Sequence, residues 1–256
     1  MAKKKEVKQT YTVDERIRRV WDIEEIKDLM CRRAFYYANN DRRGELVNCW
    51  VGEPKHLKTA SFGSNWGYYV GMDEISSWYV VQHDQQMKDA LKAIHAKHPE
   101  IEETLANQGW GCHYFSPMST PMVILSGDGE TAKGMWYCIG NESVWSGEDE
   151  ADCWWMNGRV AADFVKEDGQ WKIWHLVISN DLAVRAGENA DDLPTKPEPG
   201  TYKPELDFGE PTIKMVTHNM AMNWSDNYPQ LPNPYYRYDA EEGYGPMGHP
   251  DFDPEF

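Results

Sequence analysis

Positive charge is scarce in this chain. Its 256 residues carry 26 Lys and Arg against 42 Asp and Glu, a formal net charge of −16. A nucleic-acid partner is thereby disfavoured, because a phosphate backbone needs a basic footprint. Long apolar runs are missing too. No window approaches 18 uncharged apolar residues, so no membrane span is expected. The opening "MAKKKEVKQT" is basic but leads into no apolar stretch, so it does not read as a signal peptide. The five cysteines (31, 49, 112, 138 and 153) form no CxxC or Cys/His ligand spacing, and they read as reduced thiols of a cytoplasmic protein. GxSxG, Walker A, GxGxxG and HExxH are all absent. His95, His98, Glu102 and Glu103 lie on a charged helix surface, and neither a metal nor an organic cofactor is expected.

Aromatic residues, by contrast, are plentiful. Twelve Trp and 14 Tyr suit a large core or an aromatic-lined cavity. Residues 13–38 read as one amphipathic helix capped by Asp14, with Ile17, Val20, Trp21, Ile23, Ile26, Leu29 and Met30 at helical spacing. A break at "NNDRRG" precedes a short helix, "GELVNCW", and then a Gly- and aromatic-rich loop or irregular hairpin, "KTASFGSNWGYYVG". Residues 72–108 read as a long helical region with Asp73 as its cap, broken near Pro99. From Gly109 the period becomes two. "PMVILSGDGETAKGMWYCIG" and "DCWWMNGRVAADFVKEDGQWKIWHLVISND" read as two strand–turn–strand units. In the second, the Asp168-Gly169 turn is a strong hairpin signal, because both central residues must accept positive φ. Helices first and strands after imply an α+β fold with helices on one face of a sheet.

The texture changes near Val184. Eleven of the 15 prolines fall at or after Pro194. Trp224, Tyr228, Tyr235, Tyr236, Tyr238 and Phe252 give this stretch more aromatic surface than disordered tails carry, so residues 184–256 read as an extended arm packed on its own or a neighbouring subunit. Residues 1–12 read as a disordered basic N-terminus and 13–183 as the folded domain, with a helical insert at about 82–110. No internal repeat is visible.

Four blocks occur in order: "IEEIKDLMCRRAFYYANND", a Gly-rich aromatic turn before "GMDEI", "STPMVILSGDGETAKGMWY" and "DFVKEDGQWKIWHL". Together, over roughly Ile17 to Leu182, they resemble the SnoaL-like branch of the NTF2-like superfamily. The resemblance implies a curved antiparallel sheet wrapped on N-terminal helices to form a cone with a deep apolar pocket. Its relatives include scytalone dehydratase, bile-acid dehydratases, ketosteroid isomerase, polyketide cyclases, lyases of lignin-derived aromatic dimers, and binding proteins without activity. Fold alone therefore assigns no function.

The dehydratases of the family place a Tyr and, five residues on, an Asp at the end of the first helix, with a sheet histidine as base or acid. Tyr36 and Asp41 reproduce that spacing, and Tyr37 stands beside them. Alignment through "GELVNCW" instead puts Asn39 in place of the aspartate and Ala34 near that of the tyrosine. By the same resemblance His113 is the candidate pocket histidine. His175 is a second candidate: Lys172 should point outward, so Trp171, Ile173 and His175 should share the inner face, with Asp163 or Arg159 able to orient the ring. Trp66, Tyr68 and Tyr69 are expected at the pocket rim, Trp136 with Gly134 and Cys138 on its wall, and Asn180 at a polar substrate contact. The expected function is a cofactor-independent lyase that removes water or formaldehyde from a small aromatic or polycyclic molecule such as an aryl propanoid diol. An isomerase or cyclase, or a non-catalytic binding module, remains open. A homo-oligomer, dimer or trimer, formed through the outer sheet face with the arm reaching across subunits is expected as well.

Overall fold

The computed structural model describes residues 10–65, 67–145, 151–187, 211–214, 228–250 and 252. Trp66 and Trp224 lie outside the described residues, as does most of the expected basic N-terminus. Helix α1 (Val13–Ala38) is started by Thr12 rather than Asp14. The Thr12 hydroxyl accepts from Glu15 N at 3.3 Å, while the Glu15 carboxylate accepts from Thr12 N at 2.6 Å, a reciprocal capping box. Helix α2 (Arg42–Cys49) and the short α3 (Pro54–Leu57) follow. Strands β1 (Ser61–Ser64) and β2 (Gly67–Val70) form a small hairpin. Helix α4 (Met72–Ser76) has Gly71, not Asp73, at its N-cap, and runs through a π-helical turn, Ser77–Gln82, into α5 (His83–Lys97).

The strand half comprises β3 (Cys112–Phe115), β4 (Met118–Leu125), β5 (Thr131–Val144), β6 (Asp152–Glu167) and β7 (Gln170–Arg185), with a two-residue β8 (Ile213–Lys214). The sheet order is β3-β5-β6-β7-β1-β2-β8, with β4 also paired to β5. All pairings are antiparallel except β1 with β7. The β6–β7 turn has φ of 48° at Asp168 and 77° at Gly169, as the sequence requires. This is the expected α+β cone: the N-terminal helices cover the concave face of an open, curved sheet.

Alternation sorts the long strands. Ala132, Trp136 and Cys138 of β5, and Val160, Ala162 and Phe164 of β6, enter the main core with Ile26, Met30, Trp50, Phe62 and Tyr79. Met135, Ala161 and Val177 point the other way, into a second cluster with Tyr68, Tyr228 and Tyr244. The arm thus reaches the convex face of its own sheet. Gly127 N donates to Tyr235 O at 2.9 Å and Asp128 N to Tyr236 O at 3.1 Å, extending main-chain pairing to residues 235–236.

Helix α1 departs from its apolar periodicity. Ile17, Val20 and Trp21 are exposed, and charges hold the face that meets the sheet. Arg19 donates to Leu125 O and Ser126 O at 3.1 and 2.9 Å, while Asp22 accepts from Trp171 Nε1 at 2.9 Å and pairs with Lys166 at 2.7 Å. Apolar packing takes over only from Ile23 and Ile26 onward. No helix among the described residues is long and apolar enough to cross a membrane. Phe164 is fully buried, its ring edge-on to Trp136 with centroids 6.0 Å apart. Phe164→Ala should lower unfolding free energy by about 3–5 kcal/mol, read from urea denaturation; a loss under ~1 kcal/mol would show that the concave core is not packed as described.

Candidate functional site

Polar groups converge inside the cone where α1, α2, the π-helical turn and β5 meet. The first layer is a buried ion pair. Arg33 Nε of α1 lies 3.2 Å from Glu45 Oε1 of α2, with the two side chains 1% and 0% exposed. Glu45 also accepts from Tyr79 Oη at 2.7 Å and from Trp50 Nε1 at 3.3 Å. Burial alone would lower the Arg33 pKa, but the neighbouring carboxylate outweighs it and holds the guanidinium charged. Held by Arg33, Tyr79 and Trp50, Glu45 is a positioning group that ties α1, α2 and the π-helical turn together.

The second layer is differently poised. The Tyr37 hydroxyl, one turn on from Arg33, donates to the carboxylate of Glu142 on β5. The Arg42 guanidinium lies 4.7, 5.4 and 5.6 Å from the ring centroids of Tyr79, Tyr37 and Tyr114. Burial raises the Glu142 pKa, against the opposing pulls of the Tyr37 hydrogen bond and the Arg42 charge. Burial, reinforced by the Glu142 charge, raises Tyr37 well above an ordinary phenol. A carboxylate pushed towards neutrality beside a phenol and a fixed cation is equipment for moving protons.

His83, at the start of α5, closes the cluster. Its Nε2 stands 2.5 Å from Asn40 Oδ1, and its ring lies edge-on to Tyr114 with centroids 5.9 Å apart. Burial, with Arg42 adding to it, brings its pKa down to about 3, so the ring is neutral at pH 7.

The residues singled out from the sequence are divided by the fold. Tyr37 is in the cluster. Tyr36 packs on the main core one position away. Asp41 is exposed, and its carboxylate caps α2 by accepting from Gly44 N at 2.8 Å, so the Tyr-x4-Asp spacing does not bring a carboxylate into the cone. His113 is exposed on β3, stacked near Phe115, because its cross-strand partner is the outward Ser143; Tyr114, opposite Glu142, is the inward residue. Trp136 and Cys138 face inward as expected. Asn180 lies within β7, where its backbone N and O bond the Asn65 side chain at 2.8 and 2.9 Å.

His175 and Arg159 lie on the convex face, contrary to the expected inner placement, and Tyr68, expected at the pocket rim, lies there too. For His175 a bulge is responsible. Asp163 pairs with His175, but the next residue, Phe164, pairs with Ile173, leaving Trp174 as an extra residue in β7. Trp171 and Ile173 therefore point inward, and His175 and Val177 outward. Asp163 does stand across from His175, whose Nδ1 is 2.9 Å from Ser61 Oγ. Burial holds His175 down to about 3 and pushes Asp163 up to about 6, Lys133 opposing the latter. Tyr68 donates to Tyr228 Oη at 2.8 Å, and Arg159 pairs with Asp181 at 3.0 Å.

Glu142, Arg42, Tyr114 and His83 escaped the sequence reading. Continuing the Trp136, Cys138 alternation two more steps along β5 reaches Glu142, a signal that was available. Among the described residues, Glu53, His56 and Glu167 bring ligand atoms within 4.8 Å of one another. Glu167 is already occupied there by Gly52 N at 2.7 Å, Glu53 N at 3.2 Å and His56 Nδ1 at 2.6 Å, and the group pins the α3 loop to the sheet.

The neutral His83 carries a stability consequence. A histidine whose folded pKa is depressed from 6.5 to about 3 stabilises the fold above 6.5, and that contribution is lost as pH falls towards 3. At pH 4 the loss is on the order of 3 kcal/mol. His83→Gln, which keeps a donor for Asn40 but does not titrate, should lose less stability between pH 7 and pH 4 in urea titrations than the wild type does. An unchanged pH slope would show that His83 is not buried neutral.

No curated protein matches the chain significantly in sequence. Solved structures similar to it include an NTF2-like protein with a cystatin-like fold from Novosphingobium aromaticivorans, 15% identical over 68% of this chain and 91% of that one, TM-score 0.42. Another is the hexachlorocyclohexane dehydrochlorinase LinA-type3 of Novosphingobium barchaimii, 13% identical over 68% and 96%, TM-score 0.46. A third is the Kfla4162 protein of Kribbella flavida, 10% identical over 65% and 95%, TM-score 0.46. The model of the SnoaL-like domain matches residues 18–177, most of the chain, from the first turns of α1 into β7. The chain belongs to the SnoaL-like domain family.

Proposed function

We propose that the interior of the cone carries out a cofactor-independent elimination on a small hydroxylated aromatic or polycyclic molecule. The observation that carries this reading is the contact between the Tyr37 hydroxyl and the Glu142 carboxylate under the Arg42 guanidinium. Glu142, its pKa raised by burial, removes a proton from carbon. The electron pair forms the new double bond as the neighbouring carbon–oxygen bond breaks, and a tyrosine hydroxyl, Tyr37 or Tyr114, protonates the departing oxygen to give water. Arg42 over both rings stabilises the phenolate left behind, and the Tyr37–Glu142 hydrogen bond is the route by which the proton returns. Formaldehyde loss from an aryl propanoid diol needs the same parts in another order: Glu142 takes the hydroxyl proton, the carbon–carbon bond breaks, and its electrons expel the neighbouring oxygen. The buried aromatics packed in the cone, Trp50, Phe62, Trp78 and Trp136, suit an aromatic substrate. His113 and His175 have no part in this scheme.

An isomerase reading rests on the same raised carboxylate, which would take a proton and return it to another carbon. The oligomer expected from the sequence fits the exposed Phe115, Tyr137, Ile139 and Trp155 on the part of the convex face near β3.

A panel of aryl propanoid diols and hydroxylated polycyclic compounds, assayed by chromatography for loss of water or formaldehyde, tests the proposal. Wild type should turn over at least one compound, and Tyr37→Phe and Glu142→Gln should each slow it about 10²–10⁴-fold while keeping the native circular dichroism. Folded variants that retain wild-type rates would overturn the assignment. Solvent deuterium entering carbon with no group lost would favour the isomerase.

A further inference from the structure

The convex face holds three buried charged side chains that no concave chemistry uses: Lys133, Arg159 and Asp163, the last fully buried. Each is directed at a main-chain group of the arm. Arg159 donates to Pro229 O at 3.0 Å and to Tyr228 O at 3.4 Å. Lys133 Nζ donates to Glu242 O. Asp163 Oδ2 accepts from Tyr244 N at 2.7 Å and from the Tyr238 hydroxyl at 3.0 Å. Charged side chains bonding carbonyls and N–H groups are how a protein holds an extended peptide, which supplies the same polar atoms whatever its side chains. The approach is close. A Cβ on Gly243 would stand 2.2 Å from Tyr238 Oη and 2.9 Å from Asp163 Oδ2.

Beneath this strap lies the β1–β2 hairpin, whose strands have only four residues each. Its hold on the long strands includes three parallel register pairs, Ser61–Gly63 with His175–Val177, the Ser61 Oγ–His175 Nδ1 contact at 2.9 Å, and the Asn65–Asn180 contact at its turn. The hairpin is sandwiched. Outward, Tyr68 reaches the strap through Tyr228 Oη at 2.8 Å and Tyr244 O at 3.3 Å. Inward, Tyr69 stacks on Trp78 with centroids 4.1 Å apart, and Phe62 lies 4.8 and 5.3 Å from Trp78 and Tyr79. Tyr79 in turn holds Glu45 in the cone. The hairpin is thus a thin wall with the polar interior on one side and the strap on the other.

We propose that residues 228–250 are a latch on this wall: seated, they press the β1–β2 hairpin onto the interior aromatics, and lifted, they let it swing and open the cone. The proposal stands whether or not the interior is catalytic, because its readout is motion. Short edge elements under a removable cover are where local opening concentrates.

Hydrogen exchange with mass spectrometry on the full chain tests it. Gly243→Ala wedges the strap off Asp163, and Tyr68→Phe removes only the hydroxyl link from hairpin to strap. Gly243→Ala should speed exchange at least tenfold in both 228–250 and 61–70, with 131–138 unchanged. Tyr68→Phe should speed exchange in 61–70 by a smaller factor, so the test survives a Gly243→Ala chain that folds poorly. Faster exchange in the strap with 61–70 at wild-type rates would make the strap a passive cover and overturn the latch. So would a hairpin that Tyr68→Phe leaves untouched.

Discussion

One extra residue in β7 orders this molecule. Because Trp174 has no partner on β6, the strand changes parity between Ile173 and His175, and the side chains from His175 to Asn180 point opposite to a regular ladder, until a second extra residue, Asp181, shifts the register again. Without that slip His175 would enter the concave core beside Trp171 and Ile173, and Leu176 and Ile178 would face the strap. With it, the two faces acquire different chemistry. The concave face receives aliphatic and aromatic side chains around a few charged groups, whereas the convex face receives the Lys133, Asp163 and His175 set that meets residues 228–250. A register shift of one residue costs little in hydrogen bonding and redirects the side chains that follow it.

Inside the cone, two arrangements of arginine and carboxylate serve different ends. Arg33 and Glu45 are paired and fully buried, and Tyr79 and Trp50 also bond the carboxylate, an arrangement that fixes three helical elements. Glu142 is half-buried, and a phenol is the partner of its carboxylate. Arg42 reaches it only through space, across tyrosine rings. The first carboxylate acts as a brace, and the second is the one the proposed elimination would use.

The sequence carried the architecture further than the site. The Asp168-Gly169 turn, the period-two stretches and the helix-first order all lead to the α+β cone, since turn chemistry and alternation are local properties. Trp136 and Cys138 were placed correctly for the same reason. His113 and Tyr114 differ by one position, and only the pairing of β3 with β5 decides which of them enters the cone. Asp41 has the right spacing from Tyr36, yet the first N–H groups of α2 claim its carboxylate, a competing local demand that spacing cannot weigh. On α1 the apolar periodicity pointed at Ile17, Val20 and Trp21, while Arg19 and Asp22 made the contacts with the sheet.

The strap's mode of attachment bears on how its sequence can change. Arg159 and Lys133 bond carbonyl groups that every residue supplies, whereas Tyr228, Tyr238 and Tyr244 contribute side chains to the docked face, so strap positions outside these tyrosines can change without loosening these contacts. Bulk is the quantity under constraint, since at Gly243 and Gly245 even a methyl group would collide with Tyr238 or crowd His175. Residues 228–250 should therefore vary in composition between those tyrosines while keeping their small residues in place. A comparison by overall identity would understate how closely such segments dock.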